Sequence, residues 1–420
     1  MIKGAAVIGG AFGLTVLFWA LSSPPDGVAV SVQVSQLFGG LALTGFAALF
    51  ALATRIGVLD LLFDGLDKSY VAHKWLGIAT VGLVVVHLLT QVEPGRGRSG
   101  GPGSPSSLGE GAGPDRWALA SLVTFVVLAL VALLAKKMSH EAWKTVHKLM
   151  AVAYAFGLVH YYGASLYGPW GTSPYSLWLN LVNLLGVAAA VYSVLLYERL
   201  AFRYPYQVTG LRQVGTNNLE VTAASTGRAL TWRPGQFTFV KILRLAFPSH
   251  PFTIAQAPDG RTVQLAIRAL GDHTSSLAGS LKIGDRLLTS AAHGRFDYTT
   301  GLPRQVWIAA GIGITPFRSF LQAGVPSRYS VDFFYSFDAE HGAYLDELTV
   351  LAGDVRLHLV DTSQTGFLTA QQIAQTVTPG EPVDVYFCGP QPMRDALRQG
   401  LRKSPLDVRR FHYEEFQFGR

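Results

Sequence analysis

Four histidines lie inside long apolar stretches: His73 and His87 in one, His147 and His160 in another, fourteen and thirteen residues apart. An ionisable side chain at lipid depth is costly and is usually retained for function. Two imidazoles on opposite sides of one iron fill both axial positions of a haem, which favours electron transfer over ligand binding. Fourteen helical residues rise about 21 Å and return within roughly 40° of the same face. His73 and His87 therefore mark two sites stacked along one helix. Thirteen residues also rise about 20 Å but end some 140° away, so the second stretch must depart from ideal geometry, with Gly157 a natural place. The two stretches run in the same direction. His73 is thus expected to pair with His147, and His87 with His160, as two b-type haem sites. The bland alternative makes His73 and His147 polar flanks at the membrane boundary.

A second group of chemistry-bearing residues lies in the C-terminal half. His250-Pro251-Phe252-Thr253 offers a flavin a hydrogen-bonding group, an apolar surface and a hydroxyl for the neighbourhood of N5. Further on, Ile267-Arg268-Ala269-Leu270-Gly271-Asp272-His273-Thr274 supplies a planar guanidinium fork suited to pyrophosphate oxygens. Ala309-Ala310-Gly311-Ile312-Gly313-Ile314-Thr315-Pro316 follows an apolar run and opens a helical one. Its glycines let backbone N–H groups approach phosphate at a helix N-terminus. Thr315 reads as the N-cap and Pro316 as the first helical residue. Cys388-Gly389-Pro390 closes the last apolar strand, where a parallel sheet meets its ligand. The thiol there borders a nicotinamide or is a small apolar filler. The C-terminal run Phe411 to Phe418 is either an aromatic tail that stacks on a flavin or a final edge strand.

The elements that position these residues follow from composition. The chain has 420 residues, of which 49% are hydrophobic and 15% charged, too apolar for a soluble protein of this length. The excess falls in the first 200 residues, as six runs near 4–22, 33–54, 71–91, 116–135, 147–166 and 175–197. Each is long enough to span a bilayer core, which takes about 20 helical residues. The first run also has features of a signal peptide, but five spans would leave the soluble half outside. With the N-terminus inside, inner segments carry Lys3, Arg55, Lys68, Lys74, Lys136, Lys137, Lys144, Lys148, Arg199 and Arg203, against Arg96, Arg98 and Arg116 outside. This asymmetry places both termini and the soluble half in the cytoplasm. The net charge of +7 is accounted for by that face, and no basic–aromatic motif calls for nucleic acid. Cys388 is the only cysteine, so intrachain disulfides, Cys-held iron–sulfur clusters and covalently attached haem are excluded.

After Arg203, short β-type runs separated by Gly and Pro predict a small antiparallel barrel ending near Tyr298. From Arg304 onward, apolar strands alternate with helical stretches, the pattern of a parallel nucleotide-binding sheet. The expected architecture is a six-helix transmembrane haem-binding bundle (1–200), a β-barrel FAD domain (201–300) and an α/β nucleotide-binding domain (301–420).

Taken in order, these motifs resemble the NADPH oxidase and ferric reductase superfamily, over almost the whole chain. The resemblance implies a ferric-reductase-type haem domain followed by a ferredoxin–NADP reductase-like dehydrogenase. It implies that His250, Pro251, Phe252 and Thr253 contact FAD, and that Arg268, Gly271 and Thr274 hold its diphosphate region. Gly311, Gly313, Thr315 and Pro316 would meet the dinucleotide, and Cys388, Gly389 and Pro390 would flank the nicotinamide. Phe416, or Phe418 in its place, would cover the flavin ring. Thr253, Cys388 and the tail phenylalanine would stand nearest the reacting atoms, and His73, His87, His147 and His160 would hold iron.

The sequence departs from the family pattern at His273, at Ala291-Ala292-His293-Gly294 and at Gln91. Phe337-Asp338 stands where NADPH-preferring members often carry Arg, and an acid there favours a free ribose hydroxyl, hence NADH or use of both nucleotides. The implied activity is electron transfer from cytosolic NAD(P)H through FAD and two b-type haems to an outer acceptor. That acceptor is O2, giving superoxide, or alternatively a ferric chelate. Two other readings are a membrane-tethered reductase with structural histidines and a flavin- or haem-based sensor. No protein partner is identifiable.

Overall fold

The computed structural model describes residues 2–23, 27–91, 116–133, 140–164, 168, 170–245, 249–268, 272–339 and 341–414. The chain divides into a helical unit ending at Glu198 and a second unit, Arg199–Phe416.

Apolar length and small residues build the first unit. Its helices are α1 (Ile2–Ala20), α2 (Val30–Ala53), α3 (Gly57–Phe63), α4 (Leu66–Gln91), α5 (Arg116–Leu133), α6 (His140–His147), α7 (Met150–Ala164) and α8 (Pro174–Val191). A π-helical stretch, Tyr192–Leu196, and the short α9 (Tyr197–Leu200) follow. Among the described residues, four helices are long and apolar enough to cross a membrane: Ile2–Ala20, Val30–Ala53, Leu66–Thr90 and Pro174–Leu200. Arg116–Ala132 is a shorter apolar helix, and α7 has 15 residues.

Helix α8 exposes Leu177, Leu181, Leu184, Leu185 and Val191, and α4 exposes Ile78, Val81, Val85 and Leu89. Such apolar faces are stable against lipid rather than water. The interior face is aromatic, with Phe50, Tyr154, Tyr161 and Tyr175 packed around Leu43 and Leu179. Glycine permits the close approaches. A side chain at Gly40 would overlap the Tyr175 hydroxyl, and one at Gly186 the Tyr154 hydroxyl.

The expected fifth span, 147–166, is not one helix. Residues 148–149 form a turn between α6 and α7. Leu149 N–H bonds to Val146 O at 3.0 Å and Val152 N–H to Leu149 O at 2.8 Å, tighter than the α-helical ladder. This break, and not Gly157, resets the helical phase between His147 and His160. Gly157 lies within α7, open toward Ser121.

The second unit begins with a six-stranded antiparallel sheet, ordered β4-β3-β6-β1-β2-β5. Its strands are β1 (Tyr204–Gln213), β2 (Asn218–Ser225), β3 (Phe237–Ile242), β4 (His250–Thr253), β5 (Thr262–Arg268) and β6 (Arg286–His293), with α10 (Asp272–Ser280) before β6. A single bridge between Ile254 and Leu265 links its two edge strands. Inside lie Tyr206, Val221, Trp232, Ile254, Val263 and Leu265.

A five-stranded parallel sheet follows, ordered β11-β10-β7-β8-β9. Its strands are β7 (Arg304–Ala310), β8 (Ser330–Phe337), β9 (Arg356–Asp361), β10 (Val383–Cys388) and β11 (Val408–Tyr413). The helices α11 (Thr315–Gln322), α12 (Leu345–Leu351), α13 (Thr362–Thr365), α14 (Ala370–Thr376) and α15 (Gln391–Leu401) connect them. Every residue of β10 is buried, as befits a strand covered on both faces. One core, around Trp307, Phe317, Phe320 and Phe333, is distinct from another around Ile308, Val385, Phe387 and Leu397.

Candidate functional site

In the helical unit, the imidazole rings of His73 and His147 have centres 6.1 Å apart at 69°. Those of His87 and His160 are 6.2 Å apart at 61°. Two imidazoles bound to one metal at about 2.0–2.1 Å each, with ~1.15 Å from nitrogen to ring centre, place the centres roughly 6.3 Å apart. Both pairs thus have the separation that two imidazoles sharing one metal would have. Among the described residues no cluster of three or more His, Cys, Asp or Glu could hold a bare ion. A pair suits a metal whose remaining ligands arrive with a macrocycle. A cavity of about 390 Å³ opens at His87 and His160, walled by Leu43, Phe46, Leu122 and Phe125. Gly39, Gly40 and Gly157 leave flat stretches of its wall free of side chains, which suits a planar apolar group. His147 stacks on Trp143 at 4.9 Å and 13°.

In the second unit the strand order reverses between β7 and β10, the switch point where a parallel sheet opens a ligand crevice at its carboxyl ends. The glycine loop after β7 and Cys388 at the end of β10 meet there. A Cβ on Gly313 would overlap the Cys388 carbonyl and lie 3.1 Å from its Sγ. Gly389 packs on Ala310, whose Cβ would be 2.8 Å from an added methyl. Gly311 has φ +53°, a left-handed conformation that glycine adopts without strain. Arg268 Nη1 is 3.3 Å from the position of its missing Cβ, so the guanidinium lies against the loop.

Thr315 is not the N-cap that the sequence suggests. Gly311–Ile314 forms a 3-10 turn, and Thr315, at φ −56° and ψ −46°, is already helical. Its hydroxyl donates to Ile312 O at 3.1 Å, and Pro316 falls in the first turn.

His250, Pro251, Phe252 and Thr253 form β4, an edge strand paired with β3 through Thr253–Phe237 and His250–Val240. A proline is tolerated on such an edge, and Thr253 is buried. Cys388 is 1% exposed. Burial, and then the nearby charge of Glu414, push its thiol pKa up, so it stands as a neutral thiol. Gly271, Phe416 and Phe418 lie outside the described residues, as does the side chain of Thr274, whose backbone belongs to α10.

Two residues here are given no role in the sequence reading. Glu414, just beyond β11, is buried, and its Oε1 is 2.6 Å from where a Gly294 Cβ would be. Arg318 follows the glycine loop by one helical turn and is 3% exposed. Its guanidinium bonds Ala255 O at 2.7 Å, Gln264 Oε1 at 2.9 Å and Glu347 Oε2 at 2.9 Å. It thereby ties α11 to the antiparallel sheet. No local signal distinguishes either one, because each finds its partners across the fold.

Three family models match the chain in succession: a ferric reductase like transmembrane component over residues 38–158, an FAD-binding domain over 203–292, and an oxidoreductase NAD-binding domain over 307–399. The carnitine monooxygenase reductase subunit of Escherichia coli (strain K12) is 28% identical over 176 residues, 40% of this chain and 53% of its own. The heme-dependent oxidative N-demethylase beta subunit of Ectopseudomonas mendocina (strain ymp) is 31% identical over 170 residues, 39% of this chain and 53% of its own. The chain thus spans about half the length of these curated relatives. Among solved structures, the flavohem-like FAD/NAD binding domain of nitric oxide dioxygenase from Vibrio cholerae O1 biovar El Tor matches 51% of this chain and 98% of its own. The identity is 20% and the TM-score 0.44. The C-terminal half matches FAD- and NAD-binding oxidoreductase domains, and with the membrane-type match ahead of them the order of the three matches follows the architecture of the ferric reductase and NADPH oxidase superfamily.

Proposed function

We propose that this chain carries electrons from cytosolic NADH or NADPH across a lipid bilayer, through FAD and two b-type haems, to an acceptor on the outer face. The observation that carries this reading is the pair of imidazole couples at 6.1 and 6.2 Å. When bound, FAD turns a two-electron hydride into single electrons, and haem iron held by two histidines passes one electron at a time.

The protein's residues supply the positions. His73 with His147, and His87 with His160, hold the irons. Fourteen residues of α4 separate the two sites by about 21 Å, the right scale to bridge two leaflets. Gly311 and Gly313 admit a dinucleotide phosphate to the main chain at the head of α11. Arg268 pairs with phosphate oxygens, aided by Gly271 and Thr274. His250, Pro251 and Phe252 seat the flavin, with the Thr253 hydroxyl toward its N5. Cys388, Gly389 and Pro390 border the nicotinamide, and a neutral thiol there does not compete as a nucleophile. Phe416 or Phe418 shields the flavin ring. Asp338, beyond β8, favours the unphosphorylated ribose of NADH.

In this reading the membrane part has six spans within residues 1–200, with both termini inside. The dehydrogenase comprises a closed barrel (201–300), sealed through Ile254 and Leu265, and a nucleotide domain (301–420). Outward movement of each electron gains about 2.3 kcal/mol per 100 mV of inside-negative potential. Oxygen, giving superoxide, is the first acceptor. A ferric chelate is the second, favoured by the match of residues 38–158 to a ferric reductase like component.

The test is the visible spectrum of the purified protein before and after NADH. Two b-type haem signals that NADH reduces support the proposal, and a protein colourless in the Soret region ends it. Superoxide-dismutase-sensitive reduction of cytochrome c then separates oxygen from a ferric chelate.

A further inference from the structure

Helix α2 carries none of the four histidines, yet it touches both of those on α4. His87 Nδ1 is 2.7 Å from the main-chain oxygen of Ser35. That oxygen can only accept, so Nδ1 carries the proton and Nε2 keeps its lone pair. His73 likewise lies toward the main chain of Leu49. Ser35 and Leu49, like the two histidines, are fourteen residues apart, as an antiparallel α2–α4 register requires.

The His87 contact is built in more detail. Ser35 is 1% exposed. Its Oγ lies 3.0 Å from His87 Nδ1 and donates to the His87 carbonyl at 3.0 Å. One side chain therefore grips both the ring and the backbone of the same residue. A carbonyl inside a helix already receives the N–H four residues on and has one lone pair to spare. For Ser35 that following residue is Gly39, and a Cβ there would sit 3.1 Å from both Cε1 and Nδ1 of His87. The missing side chain is what lets the ring reach the carbonyl. His147 is held differently: its buried Nδ1 has no hydrogen-bond partner among the described residues, and its ring stacks on Trp143.

We infer that Ser35 and Gly39 are positioning residues for the His87 site: they fix its tautomer, set its ring plane and strengthen it as an iron ligand. This rests on the proposed haem function. A ring whose far N–H is held by a strong acceptor is a more basic donor, so it stabilises the ferric form and lowers the potential of that iron.

The experiment is a redox titration followed optically, with low-temperature electron paramagnetic resonance, on full-length wild type, Ser35→Ala, Ser35→Thr and Gly39→Ala. The inference expects one of the two midpoint potentials to move positive in Ser35→Ala and further in Gly39→Ala. One low-spin ferric signal should shift with it. The other potential and signal should stay in place, which also shows that the bundle has folded. Ser35→Thr keeps a hydroxyl and should return the shifted potential to the wild-type value. If neither potential moves in the two alanine variants, or both move together, the inference is overturned. Wild-type protein without haem would instead sink the proposed function, and this inference with it.

Discussion

Arg318→Met tests how firmly the glycine-loop helix is tied to the antiparallel sheet. The arginine is buried, with Nη2 2.7 Å and Nε 2.9 Å from Glu347 Oε2. Its guanidinium lies 4.4 Å from the Tyr344 ring centre and 3.7 Å from Glu220. Arg212 shares both carboxylates, reaching Glu220 Oε1 at 3.0 Å and also bonding Glu347. Two positive and two negative groups therefore balance. Methionine fills a similar volume but leaves Glu220, 3% exposed, in a cluster with one negative charge too many. It also strips the Ala255 carbonyl and Gln264 of their donor.

Breaking a buried pair in this way costs about 3–5 kcal/mol. The unit runs from Arg199 to Phe416, 218 residues (416 − 199 + 1). For that size each kcal/mol moves the midpoint by about 2–4 °C, which gives a fall of roughly 6–20 °C. The assay is flavin fluorescence on heating detergent-solubilised full-length protein, at one scan rate for all variants. Adding Glu347→Gln to Arg318→Met should recover part of the loss, since the excess charge goes. A fall of less than about 2 °C, or no recovery in the double variant, would show that the cluster is not a coupled, buried network.

Three further outcomes follow from the same geometry. Cys388, buried and held as a neutral thiol, should resist maleimide in the native protein and react once it is unfolded; mass spectrometry of the two samples checks this. Gly313→Ala forces a methyl into the Cys388 carbonyl and should cost about 1–3 kcal/mol of stability, with a raised KM for NADH in flavin reduction. At Asp332, burial alone would raise the carboxyl pKa, but bonds from Arg356 and His358 outweigh it and hold the value below 3.8. A group depressed in the folded state contributes stability that is present above its unfolded pKa and is lost as pH falls through the folded one. The unfolding free energy from denaturant titrations should therefore fall more steeply between about pH 5 and pH 3 in wild type than in Asp332→Asn.

The sequence alone determined which segments are apolar, which strands are buried and in what order the cofactor motifs occur. Phe237–Ile242, Thr262–Arg268 and Val383–Cys388 are strands among the short β-type and apolar runs of the second half, because burial on a sheet leaves its mark residue by residue. The facing rings of His73 and His147 and of His87 and His160 accord with spacings of fourteen and thirteen residues, because helical rise is a property of a single segment. Other features were settled only by the tertiary structure. His250–Thr253 is a strand because β3 offers it an edge, not because four residues containing a proline prefer extension. The break at residues 148–149 leaves the apolar pattern of 147–166 untouched, so hydropathy does not register it. Arg318, Glu414, Ser35 and Gly39 draw their importance from groups far away in the chain. Periodicity reports which face of an element is buried. Which atoms then meet across that face depends on strand order and helix register, and those are decided when the elements pack.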